Sequence, residues 1–174
     1  KYSDATDPFL KNRYWFLAIK ASFYSDRQVN GVAFFYQTEK SIPKNTLYYR
    51  ALAYVAGVEY KQKHYAKSNF LYSQVFDKCP TMRVVSAYCF HPQEQKDWKQ
   101  SLAMAKTDDE KAALWAIQGY YNDEERAIAE IYKLQPKNQH LDYLLTRLIN
   151  NQENKIDRSF KDKTVLENKK RTKD

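Results

Sequence analysis

Small residues and tyrosines alternate at helical spacing between Ala51 and Pro80, and this pattern constrains the fold more than any other part of the chain. The intervals of three or four residues place those side chains on one face of a helix. A short polar turn divides the segment into two predicted helices, about Leu47–Lys63 and Tyr65–Lys78, and Pro80 prevents the second from continuing. Helices joined by so short a turn run antiparallel and pack closely where their contact residues are small. The segment therefore predicts a helical hairpin.

The rest of the chain also carries helix signals. The 174 residues include only 3 glycines and 5 prolines, which argues against many short strands. Asp7-Pro8 predicts a helix start, and residues 107–110 (Thr-Asp-Asp-Glu) match a capping box. Pro92 is expected to open a helix that carries Trp98, Leu102 and Ala105. We predict an all-α fold of about nine helices, arranged as a short α–α superhelix of about four antiparallel hairpins plus a C-terminal helix.

Tyrosine is unusually frequent, with 15 in the chain, and many of these tyrosines fall at the helical spacing expected of buried core residues. In the first predicted helix an apolar face is formed by Leu10, Tyr14, Leu17, Ala21 and Tyr24. Core spacing is shared by Tyr14, Tyr24, Tyr60, Tyr65 and Tyr72. We therefore expect most tyrosines to be structural. A surface for stacking sugars or nucleobases would need several of them exposed on one face.

The prolines that end successive helix pairs show a regular spacing at first. Pro43 and Pro80 lie 37 residues apart, and a period in this range is typical of a helical solenoid. The next such proline, Pro136, follows after a gap of 56 residues, so the array is expected to become irregular there.

Small residues, tyrosines and prolines recur in the same order in successive segments. The central copy carries Gly57, Tyr60, Ser68 and Pro80. The upstream copy carries Ala21, Tyr24, Gly31 and Pro43, and a shortened downstream copy keeps Gly119 and Pro136. Over about two thirds of the chain this pattern resembles a divergent tetratricopeptide (TPR) repeat. An α-solenoid of other ancestry would show a similar pattern.

The resemblance implies a binding surface on the concave side, which the first helix of each pair lines. Carried over to this sequence, the candidates for partner contact are Trp15, Ser22, Tyr54, Lys61 and Tyr120. The same transfer places Ala51, Val58, Ala113 and Ala116 on that side. Some family members hold a peptide's C-terminal carboxylate with an asparagine, but Ser22 and Val58 occupy the equivalent positions here, so a chaperone-tail ligand is not expected. The alternative for each candidate is packing between repeats.

Positive charge is concentrated at the end of the chain. Eight Lys or Arg and four Asp or Glu lie from Lys155 to Asp174, which gives this segment +4 of the net charge of +8. We predict a helical repeat domain at residues 1–150 and a basic tail or linker at residues 151–174. The tail lacks interleaved aromatic residues beyond Phe160 and carries four acids, so a solvated terminus or linker is favoured over a nucleic-acid footprint.

No pattern of residues predicts catalysis. The three histidines are isolated, and the chain has neither a GxSxG motif nor a Gly-rich phosphate loop. Helix capping explains the acidic cluster of residues 108–110. A closed zinc site would need a fourth ligand beside Cys79, Cys89 and His91, and the sequence offers none. The spacing of the two cysteines is compatible either with a disulfide between them or with two free thiols. We expect no enzymatic activity, no metal and no cofactor.

The sequence therefore predicts a non-enzymatic TPR-like scaffold that binds a peptide or protein partner in a concave groove. One alternative is polyanion or nucleic-acid binding through the basic tail, with affinity that falls steeply with salt. Another is a regulatory helical domain attached to an enzyme. The start at Lys1 without an initiator methionine and the tyrosine-rich composition lead us to expect part of a larger exported or envelope-associated bacterial protein.

Overall fold

A computed structural model describes the backbone of residues 1–171 and the side chains of residues 1–159. Within residues 1–171 the chain forms nine α-helices and two short 3-10 helices, with no strand, so the predicted all-α fold is confirmed. The helices are α1 (Pro8–Phe23), α2 (Gln28–Thr38), α3 (Thr46–Lys61), α4 (Tyr65–Lys78), α5 (Arg83–Cys89), α6 (Gln95–Met104), α7 (Asp108–Tyr121), α8 (Glu124–Leu134) and α9 (His140–Arg171). None of these helices is both long enough and apolar enough to span a bilayer.

Side-chain caps begin several helices where the sequence predicts them. Asp7 accepts a hydrogen bond from the backbone of Leu10 at 2.8 Å, and Thr107 and Glu110 form the predicted capping box. The prediction for Pro92 is wrong, because α6 begins only at Gln95. The carboxylate of Asp97 accepts from the backbone of residues 93 and 94, and this polar cap sets the helix start.

Helices adjacent in sequence pack in pairs, as the short connections require. The main pairs are α1–α2, α3–α4 and α7–α8. The first helices of the first two pairs also pack together and run in the same direction. Trp15 in the middle of α1 stacks on Tyr48 near the start of α3, with ring centroids 6.0 Å apart. Phe23 at the end of α1 lies against Tyr54 in the middle of α3, at 4.9 Å.

Small residues lie where paired helices cross. A Cβ added at Gly31 would stand 2.5 Å from the Cβ of Ser22, and one at Gly119 would stand 2.5 Å from the Cβ of Ala127. In the α3–α4 pair, the buried hydroxyl of Ser68 donates to the backbone carbonyl of Ala56 at 2.9 Å. A larger side chain at these positions would push the helices apart.

The centre of the molecule is α7, which is surrounded by other helices. It packs against α4, α5, α6, α8 and α9, and every residue from 112 to 117 is buried. Ala113 and Ala116 therefore have no place on an exposed concave surface, contrary to the expectation. In α3, Ala51 and Val58 are buried as well. Two further helices, α5 and α6, lie in sequence between the α3–α4 and α7–α8 pairs and pack mainly against α4.

The last helix crosses the predicted domain boundary without a break. It runs from His140 to Arg171, so residue 150 lies inside α9. Leu141 and Leu144 are buried, whereas residues 152–159 are all exposed. The boundary thus coincides with a change in burial, and most side chains of the predicted basic tail lie outside the described residues.

Candidate functional site

Trp15 is a core residue. Its side chain is 0% exposed, its indole Nε1 donates to Thr38 Oγ1 at 2.7 Å, and its ring stacks on Tyr48. The side chain has no surface with which to contact a partner, so its assignment as a contact residue is wrong. The aromatic packing and the buried hydrogen bond give it a structural role.

Ser22 lies between α1 and α2 opposite Gly31. Its hydroxyl donates to the carbonyl of Ala18 at 2.9 Å, which is a bond within its own helix. The residue is half-buried, and its small size matches the close approach of α2. Its contacts are those of a packing residue.

Tyr54 and Lys61 lie together at one end of the surface between α1 and α3. Tyr54 packs against Phe23 and Tyr24, with ring centroids 4.9 and 6.0 Å away, and Lys61 Nζ lies 4.4 Å from the centroid of Phe23. Burial and a hydrogen bond with Tyr24 raise the pKa of Tyr54. Tyr24 itself is 71% exposed, contrary to the core role predicted for it. The cluster presents aromatic area and one cation to solvent.

A groove of about 450 Å³ lies at the other end of the same surface. It is lined by Phe9, Asn12, Arg13, Phe16, Leu17, Asn45, Leu47 and Arg50. Two of its apolar side chains are largely solvent-accessible, since Phe9 is 62% and Leu17 is 51% exposed. Sequence reasoning missed this groove. The available signal was the recurrence of Phe9, Arg13 and Leu17 every four residues on one face of α1.

The cations on this surface are not neutralised by neighbouring acids. The guanidinium of Arg13 lies over Phe9 at 4.4 Å and that of Arg50 over Phe16 at 5.4 Å. Among the side chains of residues 1–159, none of the salt bridges involves Arg13, Arg50 or Lys61. We call this surface the α1–α3 face and define it by Phe9, Arg13, Leu17, Tyr24, Arg50, Tyr54 and Lys61. It combines exposed apolar area with positive charge.

Tyr120 lies elsewhere, in a second groove of about 320 Å³ between α5, α7 and α9. The groove is lined by Val84, Ala87, Tyr88, His91, Tyr120, Tyr121 and Arg147. Tyr120 stacks on Tyr143 with ring centroids 5.9 Å apart, and Arg147 lies over it at 4.4 Å. Arg147 is itself 3.2 Å from a carboxylate oxygen of Glu124. The structure thus separates Tyr120 from Tyr54 and Lys61, because α7 does not pack against α1 or α3 as a principal neighbour.

Residues capable of metal or redox chemistry are dispersed. No group of three or more His, Cys, Asp or Glu side chains within residues 1–159 is placed to hold a metal ion. Cys79 and Cys89 are both free thiols, the first buried and the second half-buried. The Nδ1 atom of exposed His64 lies 2.8 Å from Oε2 of Glu59, and Oε1 of Glu59 contacts Lys67 Nζ at 2.7 Å. This last network joins α3 to α4.

No protein-family model matches this sequence, and comparison with curated proteins and with solved structures gave no significant match. Functional inference therefore starts from the geometry of the α1–α3 face and of the α5–α7–α9 groove. The first surface has two properties that the second lacks. None of its cations forms a salt bridge with the side chains of residues 1–159, and the surface extends along two parallel helices.

Proposed function

We propose that the protein is a non-enzymatic, TPR-like helical scaffold that binds a segment of a protein partner on the α1–α3 face. The observation that carries this proposal is the exposure of Phe9, Leu17 and Tyr24 beside the cations Arg13, Arg50 and Lys61. Aromatic residues and arginine dominate the energetics of protein interfaces. Fully covering one large apolar side chain contributes about 1.5–3 kcal/mol, so these three anchors would together offset part of the cost of association.

The dimensions of the face suit an extended peptide. Both α1 and α3 contain 16 residues, so each helix is about 24 Å long at 1.5 Å per residue. An extended segment of about seven residues covers that length. The apolar groove at one end and the Tyr24–Tyr54–Lys61 cluster at the other provide two separate anchoring points for it.

Two features support the repeat interpretation that underlies this proposal. The first helices of the first two pairs lie side by side and run in the same direction. Small residues lie at the crossings of α1 with α2 and of α7 with α8. In this interpretation the first helices of the first two pairs provide the binding surface, and α7 closes the core.

A selection from a displayed library of random peptides about twelve residues long tests the proposal. The immobilised protein should enrich peptides, and the double change Phe9→Ala, Leu17→Ala should weaken their binding by about tenfold or more. The matched control is Val84→Ala, Tyr88→Ala, which removes exposed apolar side chains from the α5–α7–α9 groove. Failure to enrich any peptide, or a loss only in the control, would contradict the proposal.

A further inference from the structure

We infer that the segment bound on the α1–α3 face is acidic, and that Asn12, Arg13 and Arg50 hold one of its side-chain carboxylates. The inference rests on the proposed function, since it names the chemistry of the ligand for the same face. Three independent features meet in the groove between α1 and α3: an amide donor without an acceptor, two guanidinium groups, and a helix N-terminus.

The amide of Asn12 is fixed by its neighbour Asn45. The Oδ1 atom of Asn45 caps α3 by accepting from the backbone of Leu47 and Tyr48, at 3.0 and 3.2 Å. The Nδ2 atom of Asn45 is therefore left to donate, and it donates to Oδ1 of Asn12 at 3.1 Å. Rotating the Asn12 amide would bring two NH₂ groups face to face. The capping bond thus determines which atom of Asn12 is the donor.

The Nδ2 atom of Asn12 has no acceptor among the residues that the structure describes. Asn12 is only 8% exposed and it lines the groove. Buried donors are nearly always satisfied by protein, water or ligand. The Nδ2 atom is itself buried, so an oxygen of a ligand in the groove would supply the missing acceptor only once the side chains around Asn12 move apart on binding. A carboxylate oxygen is the strongest acceptor that a peptide offers.

Positive charge surrounds this donor. Arg13 and Arg50 line the same groove from two different helices, and the positive end of the α3 dipole lies beside them at Asn45. Neither α1 nor α3 has an acidic residue in its first turn. Asp7 precedes α1, and its carboxylate, which caps the backbone of Leu10, offsets part of this positive charge. The two guanidinium groups and the helix dipole leave an excess of positive charge, which favours an anion.

The arrangement favours an acidic peptide over a lone carboxylate or a nucleic acid. Lys61 stands at the far end of the face, so a chain along both helices meets cations at two places, which one terminal carboxylate could not satisfy. The groove is lined by the aliphatic side chains of Leu17 and Leu47 as well as by the rings of Phe9 and Phe16. This mixture suits the varied apolar side chains of a peptide better than a row of nucleobases, which are held by stacking on aromatic rings. The expected segment carries at least two Asp or Glu residues separated by apolar side chains.

Fluorescent peptide pools test this inference by anisotropy at about 150 mM salt. Three pools about twelve residues long share random Leu, Phe and Ser positions and differ only in their polar residues, which are Asp/Glu, Asn/Gln or Lys/Arg. The acidic pool should bind at least about tenfold more tightly than the amide pool. Equal binding of the acidic and amide pools would overturn the inference and leave the proposed function standing. No binding of any pool would count against both, and tighter binding of an oligothymidine strand would overturn both in favour of a polyanion site.

Variants then locate the carboxylate. The double change Arg13→Gln, Arg50→Gln should weaken the acidic pool by about tenfold or more and leave the amide pool unchanged. The control Lys99→Gln, Lys137→Gln removes the same charge from exposed positions on other parts of the surface and should change binding less than about twofold. Equal losses in the two double variants would show a general field effect and overturn the site.

Asn12→Asp addresses the amide donor directly. The change keeps an oxygen that accepts from Asn45 and replaces the unpartnered NH₂ with a second oxygen. Binding of the acidic pool should fall by at least about tenfold, because a carboxylate would now face a carboxylate. Asn12→Ser is the second variant, for use if the aspartate variant unfolds. Its circular dichroism spectrum shows whether it is folded, and its affinity for the acidic pool should also fall. Unchanged affinity in a folded Asn12 variant would remove this residue from the site.

Discussion

His140 in α9 and Asp77 in α4 form a buried hydrogen-bonded pair, with His140 Nε2 2.8 Å from Asp77 Oδ1. The two residues are 63 positions apart, and both are less than a tenth exposed. Gln139 also donates to Oδ1 at 3.0 Å, and Lys78 Nζ lies 2.8 Å from Oδ2. The pair therefore fixes the first turn of the last helix to the centre of the molecule.

Removing the imidazole should destabilise the fold. His140→Ala leaves the carboxylate of Asp77 buried with one fewer partner, and loss of one member of a buried pair costs about 3–5 kcal/mol. We expect about 3 kcal/mol, since Lys78 and Gln139 still contact Asp77. Urea unfolding measures the change, and Lys137→Ala at an exposed position is the control. A loss equal to that of the control would show that the pair does not hold α9.

The same pair predicts how stability depends on pH. Burial acts to raise the pKa of Asp77, but hydrogen bonds from His140 and Lys78 outweigh it, so the pKa lies below the ordinary value of 3.8. A carboxyl whose pKa is lowered by folding stabilises the fold at any pH above its unfolded value. This contribution is lost as the pH falls through 3.8 towards the lower folded pKa.

Unfolding of wild type and Asp77→Asn at a series of pH values checks this dependence. The wild type should be more stable at neutral pH, and its advantage should shrink as the pH falls below about 4. Asparagine retains an acceptor for His140 but has no titrating proton, which makes it the matched variant. If the difference in stability between wild type and Asp77→Asn stayed constant down to acid pH, titration of Asp77 would not be the cause of the pH dependence.

The crossing of α1 and α2 requires a small residue on each helix. Gly31→Ala should destabilise the protein by about 1–3 kcal/mol, because the new Cβ would stand 2.5 Å from the Cβ of Ser22. Adding Ser22→Gly to that change should recover most of the loss. Gly57→Ala is the contrast, since the new Cβ would stand 3.0 Å from a ring carbon of Phe23 and 3.3 Å from the hydroxyl oxygen of Tyr72, and alanine favours the helix.

Thermal melts of the two single variants and the double variant check these expectations. The order of stability should be Gly57→Ala above Gly31→Ala, with the Ser22→Gly, Gly31→Ala pair close to wild type. A double variant that is less stable than Gly31→Ala alone would show that the clash lies somewhere other than Ser22.

The sequence predicted the crossings better than it predicted the surfaces. A small residue at a helix crossing has a local steric cause, and Gly31, Gly119 and Ser68, which the repeat resemblance placed at crossings, lie where paired helices approach closely. In α1, by contrast, apolar residues occupy both faces, and periodicity could not separate the buried face from the exposed one. As a result Trp15 was placed outside and Tyr24 inside, the reverse of what the structure shows.

The prediction that Tyr120 lies on the same surface as Tyr54 and Lys61 was wrong for a different reason. The resemblance carried the binding surface from one repeat to the next, as if each first helix had the same neighbours. In the structure α7 packs mainly against α4 and α8 and also contacts α5, α6 and α9, whereas α3 packs against α1, α2 and α4, so the two helices have different neighbours. A difference of this kind depends on contacts between residues far apart in sequence, which the local pattern around Gly119 does not contain.

Two variants of α1 should distinguish a core residue from a residue of the α1–α3 face, because one should lower stability and the other should lower peptide affinity. Trp15→Phe removes a buried indole hydrogen bond to Thr38 and should lower stability by about 1–2 kcal/mol. Thr38 keeps its own bond to the carbonyl of Phe34, so no new unpaired donor arises. Leu17→Asn changes a side chain that is 51% exposed and should leave stability within about 0.5 kcal/mol of wild type.

Binding of a selected peptide should show the opposite order. Corrected for the folded fraction, Trp15→Phe should retain wild-type affinity, because its side chain is 0% exposed. Leu17→Asn should lose about fivefold or more, because it removes an apolar anchor of the α1–α3 face. Denaturant unfolding and fluorescence anisotropy on the same protein samples measure both quantities. If Trp15→Phe weakened binding while Leu17→Asn did not, the partner would bind a surface other than the α1–α3 face, and the indole would act on it through the core.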